Sequence, residues 1–336
     1  MRRTRLAAAA GLGGLIFGLW IGGAATGAQA QATAGTAPRT PWGEPDLQGT
    51  WTSEAELSVP FERPREYGTR QLLTDAEMAT RQATLQKQTD SDNADFDLET
   101  ADRSNAGQVG SATSPPPHWL ERGKPSRRTS MVIAPADGRL PAMTDEGQRR
   151  LRQLRAGTFA GGNFNAGAVF KGPEDLSLWE RCITRGVPSA IFPTVYNANT
   201  RIVQAPGVVA ITYEMIHDTR VVFTDGRTHV GGAIRGYHGD SRGRWEGDTL
   251  VVDVTNFSPK SDYRGAGDTL HLVERFTRTA TGLRYEVSVD DPRTWTASWT
   301  AALEMTPQSE AMFEYACHEG NNSMRNILSG ARAAER

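Results

Sequence analysis

The stretch Thr269–Val289, TLHLVERFTRTATGLRYEVSV, decides the fold. Apolar and polar residues alternate along Thr269–Arg278 and again along Gly282–Val289, with Thr281-Gly282 as the turn between them. A period of two marks a half-buried strand, because successive side chains point to opposite faces. The first run gathers Leu270, Leu272, Glu274, Phe276 and Arg278 on its more apolar face, so Glu274 is expected to point inward. The second gathers Leu283, Tyr285, Val287 and Val289 and sends Glu286 outward.

The same texture extends to both sides. Short runs at Arg201–Gln204, Gly207–Ile216, Arg220–Thr224, Arg244–Trp245, Thr249–Asn256, Thr296–Glu304 and Met312–Cys317 alternate with turn residues such as Asp225-Gly226 and Glu246-Gly247-Asp248. Strands at this spacing without helical patterns predict an antiparallel sheet, and one this large curls or splits to protect its edges. Short connections favour an up-and-down barrel of lipocalin or calycin type, whose first strand is Gly49–Thr52.

A loop-rich, partly helical arm at about 60–165 interrupts this body. Thr74 followed by Glu77 predicts a capped helix over 74–89, and Pro115-Pro116-Pro117 predicts an extended stretch within 90–128. Met131-Val132-Ile133 with Asp137-Gly138 reads as a strand and turn, Thr144–Arg155 as a short helix, and Asn321–Ala333 as a closing one. Residues 46–336 are expected to form a single domain after a flexible tail at 31–45.

Arg2, Arg3 and Arg5 precede an uncharged run from Leu6 to Gly27 and the small-x-small site Ala28-Gln29-Ala30. This is the pattern of a cleavable signal peptide over 1–30, so a periplasmic or secreted location is expected. Arg2-Arg3 partly matches a twin-arginine signal. After signal removal no apolar stretch is long enough to span a bilayer. With 37 basic and 39 acidic residues, nothing favours nucleic acid or an anionic membrane; the barrel-like body is expected to enclose a pocket for a small, partly apolar molecule. Oligomeric state is left open. The two cysteines, Cys182 and Cys317, are expected to form a disulfide in an oxidising compartment.

The segments Leu178–Cys182, Tyr213–Arg220, Gly239–Asp253 (GDSRGRWEGDTLVVD) and Glu314–Asn321 (EYACHEGN) resemble a large family of uncharacterised exported bacterial proteins. The resemblance covers nearly the whole mature chain and implies an exported, β-rich protein, with no catalytic residues to carry over. Gly49-Thr50-Trp51 is similar to the Gly-x-Trp that opens lipocalins, barrels that hold apolar ligands.

Five of the six histidines lie in the strand-rich part, among carboxylates. Buried charges need partners, so these groups either decorate a solvated face or line a polar cavity. His217, Arg220, Glu274 and His318, with Glu314 in reserve, form a candidate acid–base set. His217 enters it because it continues the apolar face Val209, Ile211, Tyr213, Met215. Tyr213, Trp245, Trp295, Trp299 and Tyr315 are candidate ligand-binding aromatics. His238 and Asp240 fall on one face of an extended strand, and with His271 or His229 they offer a transition-metal site; no other cofactor is indicated. Three outcomes stay open: a lyase, isomerase or hydrolase using acid–base chemistry, a non-catalytic carrier of lipocalin type, and a His/Asp metal-dependent enzyme.

Overall fold

The computed structural model describes residues 37–92, 123–156, 170–261 and 263–335. The expected signal peptide and most of the proline-containing stretch lie outside them. The described strands are β1 (Gly49–Thr52), β2 (Val132–Ala134), β3 (Asn199–Ala205), β4 (Val208–Tyr213), β5 (Thr219–Phe223), β6 (Asp240–Glu246), β7 (Thr249–Thr255), β8 (His271–Arg278), β9 (Leu283–Asp290) and β10 (Trp299–Pro307). The helices are α1 (Asp75–Asp92), α2 (Asp145–Ala156) and α3 (Ser323–Ala334), close to the expected spans. Thr74 and Glu77 cap α1 reciprocally: Glu77 accepts from the Thr74 N–H at 2.8 Å. No described helix is long and apolar enough to cross a membrane.

Nine strands close into a barrel in the order β1-β3-β4-β5-β6-β7-β8-β9-β10, with β10 returning to β1. One edge of β10 takes β9 along its length; the other takes β2 at Thr300–Ala301 and β1 at Thr306–Pro307. Met312–Cys317 is not the strand its alternation suggests: the barrel closes through β10 on β1 without it, both edges of β10 being taken by β9, β1 and β2. The barrel is also not a pure up-and-down meander, since β5 and β6 are parallel, paired through Phe223 and Arg242. Residues 224–239 must therefore run back along the outer wall before β6 begins.

Register fixes which residues face the lumen. Trp51, Ile202, Ile211, Val222, Val252, Leu272, Phe276, Tyr285, Val287 and Leu303 point inward and belong to one contiguous apolar cluster. Glu274 shares that face, as its alternation predicts, and is fully buried. Its partner comes from across the lumen: Arg220 of β5 donates from Nη1 to Glu274 Oε2 at 2.5 Å and from Nη2 to Oε1 at 2.8 Å. The Tyr285 hydroxyl donates to Glu274 Oε1 at 2.7 Å. The Arg220, Tyr213 and Tyr285 pKa values are all raised, for different reasons: for Arg220, desolvation works against the cation, but the charge of Glu274 outweighs it and the net shift is upward. For Tyr213 and Tyr285 burial itself is the main cause of the rise.

The two barrel ends differ. At one, strands are joined by tight turns, at Pro206-Gly207, Gly247-Asp248 and 279–282. At the other, long connections gather, and Trp295, Trp299, Tyr263, Phe61 and Phe192 pack there with ring centroids 5.4–6.5 Å apart. Cys182 and Cys317 are joined as expected, closing a separation of 135 residues. A loop of that size stabilises by about 5 kcal/mol in the chain-entropy account.

Replacing Glu274 alone by Gln strands a buried guanidinium, and is expected to lower the unfolding free energy by about 3–5 kcal/mol. The double replacement Arg220→Met with Glu274→Leu is expected to recover most of that loss. Urea unfolding followed by tryptophan fluorescence measures both; a double variant as unstable as Glu274→Gln would refute the account.

Candidate functional site

The parallel junction has a local consequence. Because β5 and β6 run the same way, and Phe223 at the end of β5 lies beside Arg242 near the start of β6, the segment 224–239 doubles back over the barrel wall. It is pinned as it goes: Arg242 donates from Nε to the Thr228 carbonyl at 2.9 Å, Asn256 to Val230 O at 2.9 Å, and Arg235 to Phe257 O at 3.1 Å. Where it passes over β6 and β7 it carries His229.

His229 lies between two carboxylates. Its Nδ1 is 2.7 Å from Asp240 Oδ2, on β6, and its Nε2 is 2.9 Å from Asp253 Oδ1, on β7. His229 thus bridges the two carboxylates through both of its ring nitrogens, and neither nitrogen is left for another partner. The second Asp253 oxygen, Oδ2, is 2.9 Å from His271 Nε2, on β8. Arg242 closes the far end with an ion pair to Asp240 Oδ1 at 2.8 Å. The result is a continuous chain, Arg242–Asp240–His229–Asp253–His271, laid across three strands and the crossing segment.

Exposure rises along this chain, from 14% for the Asp240 side chain to 32% for Asp253 and 39% for His271. Burial pushes the Asp253 carboxyl up, but the hydrogen bonds from His271 and His229 outweigh it, and its pKa falls below the ordinary value. His271 therefore has its Nε2 fixed by an ionised carboxylate, while its Nδ1 makes no hydrogen bond among the described residues. An imidazole oriented in this way by a carboxylate is a proton acceptor held at the protein surface.

The residues singled out from sequence do not assemble as one site. Arg220 and Glu274 meet in the lumen, but His217 does not join them. The β4 alternation ends at Tyr213, and Ile216 and His217 adopt left-handed φ values of 68° and 46°. His217 thus turns outward, with its Nδ1 2.9 Å from the Tyr315 carbonyl. His318 and Glu314 are exposed on the C-terminal segment. The aromatics are dispersed: Tyr213 lies in the lumen, Trp245 is half-buried near the tight-turn end, Trp295 and Trp299 are in the aromatic plug, and Tyr315 is beside the disulfide.

The expected metal triad is also divided. Gly239, at φ 67°, turns the chain between His238 and Asp240 and so breaks the strand alternation that would align them. A Cβ there would lie 2.4 Å from the Thr255 carbonyl, so the close approach demands glycine. His238 instead contacts Asp218 at 2.7 Å and Thr184 at 2.8 Å. No group of three or more His, Cys, Asp or Glu side chains among the described residues is placed to hold a metal ion.

Asp253 is the residue that sequence reasoning passed over. Its signal is visible in retrospect: it is the lone carboxylate within Leu250-Val251-Val252-Asp253-Val254, at the parity that faces outward. The chain matches no protein-family model, no curated protein and no solved structure.

Proposed function

We propose that this chain is an exported β-barrel protein that takes a small, partly apolar molecule against its outer wall and moves a proton on it through His271. The observation that carries this reading is the division of Asp253 between two imidazoles, of which, among the described residues, His271 keeps a ring nitrogen without a hydrogen bond. In that arrangement Asp253 holds the His271 tautomer with Nε2–H, so Nδ1 is the general base; Asp253 is a positioning residue. His229 and Arg242 fix Asp253 and Asp240 from behind. Val230 and Ile234, both exposed on the crossing segment, supply an apolar flank. The reaction class is proton abstraction or water activation, as in lyases, isomerases and hydrolases. A carrier that holds its ligand inside the barrel draws less support, since the lumen is occupied by the protein's own apolar side chains around the Arg220–Glu274 pair.

The test is the rate of hydrolysis of an activated nitrophenyl ester, and of solvent hydrogen exchange into a 1,3-dicarbonyl. Activity in either is expected to drop by roughly 10²–10⁴-fold in His271→Gln, to drop less in Asp253→Asn, and to be unchanged in His318→Ala. Inertness toward both probes, or activity that survives His271→Gln, would count against the reading.

Asp253 also gives a pH signature. A carboxylate whose folded pKa is depressed contributes stability that is full above its unfolded value, about 3.9, and is lost as pH falls through the lower folded value. Asp253→Asn is therefore expected to be less stable than the parent at pH 7, with the two converging below about pH 4. Thermal unfolding across that range checks it; convergence already at pH 6 would mean that the contacts to His229 and His271 are not made.

A further inference from the structure

A second feature lies on another part of the barrel wall. The arm folds over the outward faces of β9 and β10 and leaves a cleft of about 460 Å³, within the size range of small-molecule sites. Four arginines line it, Arg63, Arg127, Arg128 and Arg284, against two glutamates, Glu56 and Glu304. Two of the arginines are neutralised in place. Arg128 pairs with Glu56 at 2.8 Å, and Arg284 pairs with Glu304 at 2.5 Å. Arg127 reaches out of the cleft to Asp75, whose side chain is 93% exposed, a pair that solvent screens.

Arg63 is different. It is 1% exposed, yet its hydrogen-bond partners among the described residues are all neutral. Its Nε donates to Thr129 Oγ1 at 3.0 Å, and its Nη1 to the carbonyls of Ala136 at 2.7 Å and Gly68 at 3.4 Å. Its Nη2 makes no hydrogen bond among the described residues. Burial holds its pKa below the ordinary arginine value, and Asp137 only partly opposes this from a distance. A buried cation that meets no carboxylate is costly unless something else compensates it. Gly138 packs against this side of the guanidinium: a Cβ there would lie 2.8 Å from Arg63 Cζ and 2.9 Å from Nη2, so the close approach demands glycine. Beside it, Leu72, Ala55 and Ile133 add apolar lining.

We infer that this cleft binds a small organic carboxylate, with its anionic group on Arg63 and its compact apolar body against Leu72 and Ile133. The Nη2 left unbonded among the described residues can donate to one carboxylate oxygen, and in a cleft walled by protein that charge-assisted bond is screened less than at an open surface. The site is independent of the His271 relay, which sits on β6–β8.

Calorimetric titration of the full, disulfide-bonded chain with benzoate, hexanoate and the neutral isostere benzamide tests this. At least one carboxylate is expected to bind at millimolar concentration or below, with benzamide weaker by roughly tenfold or more. Arg63→Gln removes the anion's partner but also three bonds that tie down the arm. Leu72→Trp is therefore the companion variant: it fills the cleft from a rim position that is 57% exposed. Both are expected to weaken carboxylate binding by roughly tenfold, with the melting temperature of Leu72→Trp unchanged and binding intact in His271→Gln. Failure of both carboxylates to bind, equal binding of benzoate and benzamide, or benzoate binding unaffected by Leu72→Trp would overturn the inference. So would inorganic phosphate binding as tightly as the carboxylates, since it has no apolar body.

Discussion

A closed ring with an odd number of strands cannot be antiparallel at every junction, and this barrel has nine. Directions must match at one place, and that place is β5 against β6. A parallel junction cannot be made by a tight turn, because the chain has to double back before it re-enters the sheet in the same direction. The segment 224–239 makes that journey over the outer wall. Everything distinctive about the candidate site follows from it. His229 is delivered to the surface of β6 and β7, Asp240 and Asp253 are partly withdrawn from water, and His271 is left at the margin with one nitrogen fixed. The ring closure thus creates a sheltered polar strip on a face that would otherwise be plain solvated sheet.

The lumen presents the opposite situation. Arg220 and Glu274 are both almost wholly enclosed, and the Tyr285 hydroxyl takes up a further lone pair of the carboxylate. Such a pair contributes little net stability, because the loss of hydration offsets most of the attraction. Its effect is on choice of register. Arg220 and Glu274 sit on strands separated by two others, so a one-residue slip in any intervening pairing would turn one of them outward and leave the other unpaired. The ion pair penalises every slipped arrangement across that sector of the barrel.

Local pattern carried the reading of the fold a long way. Alternation in Thr269–Val289 placed Glu274 inward and Glu286 outward, and the Thr74–Glu77 spacing marked the start of α1. These features depend on near neighbours in the chain. What the pattern missed depends on partners far away or on single backbone angles. Ile216 and His217 in the left-handed region end an alternation that otherwise seemed to continue, and Gly239 does the same between His238 and Asp240. Met312–Cys317 has the residue pattern of a strand, but β1 and β2 already occupy the last edge. The union of His229 with Asp253 required knowing that β5 and β6 run parallel, which no local spacing encodes.

These contrasts explain why acid–base chemistry is better placed on the wall than in the lumen. A group that exchanges protons during turnover has to change charge, and each change must be tolerated by its surroundings and connected to solvent. Glu274 meets neither condition: it is bound by both guanidinium nitrogens of Arg220 and by Tyr285, and protonating it would leave a buried cation unopposed. His271 meets both. Its charged form would face the ionised Asp253 it already touches, and its side chain is 39% exposed to solvent. The difference lies in hydration more than in residue type. A carboxylate and a cation sealed together become architecture, whereas a carboxylate and an imidazole left at the edge of a crossing segment remain able to react.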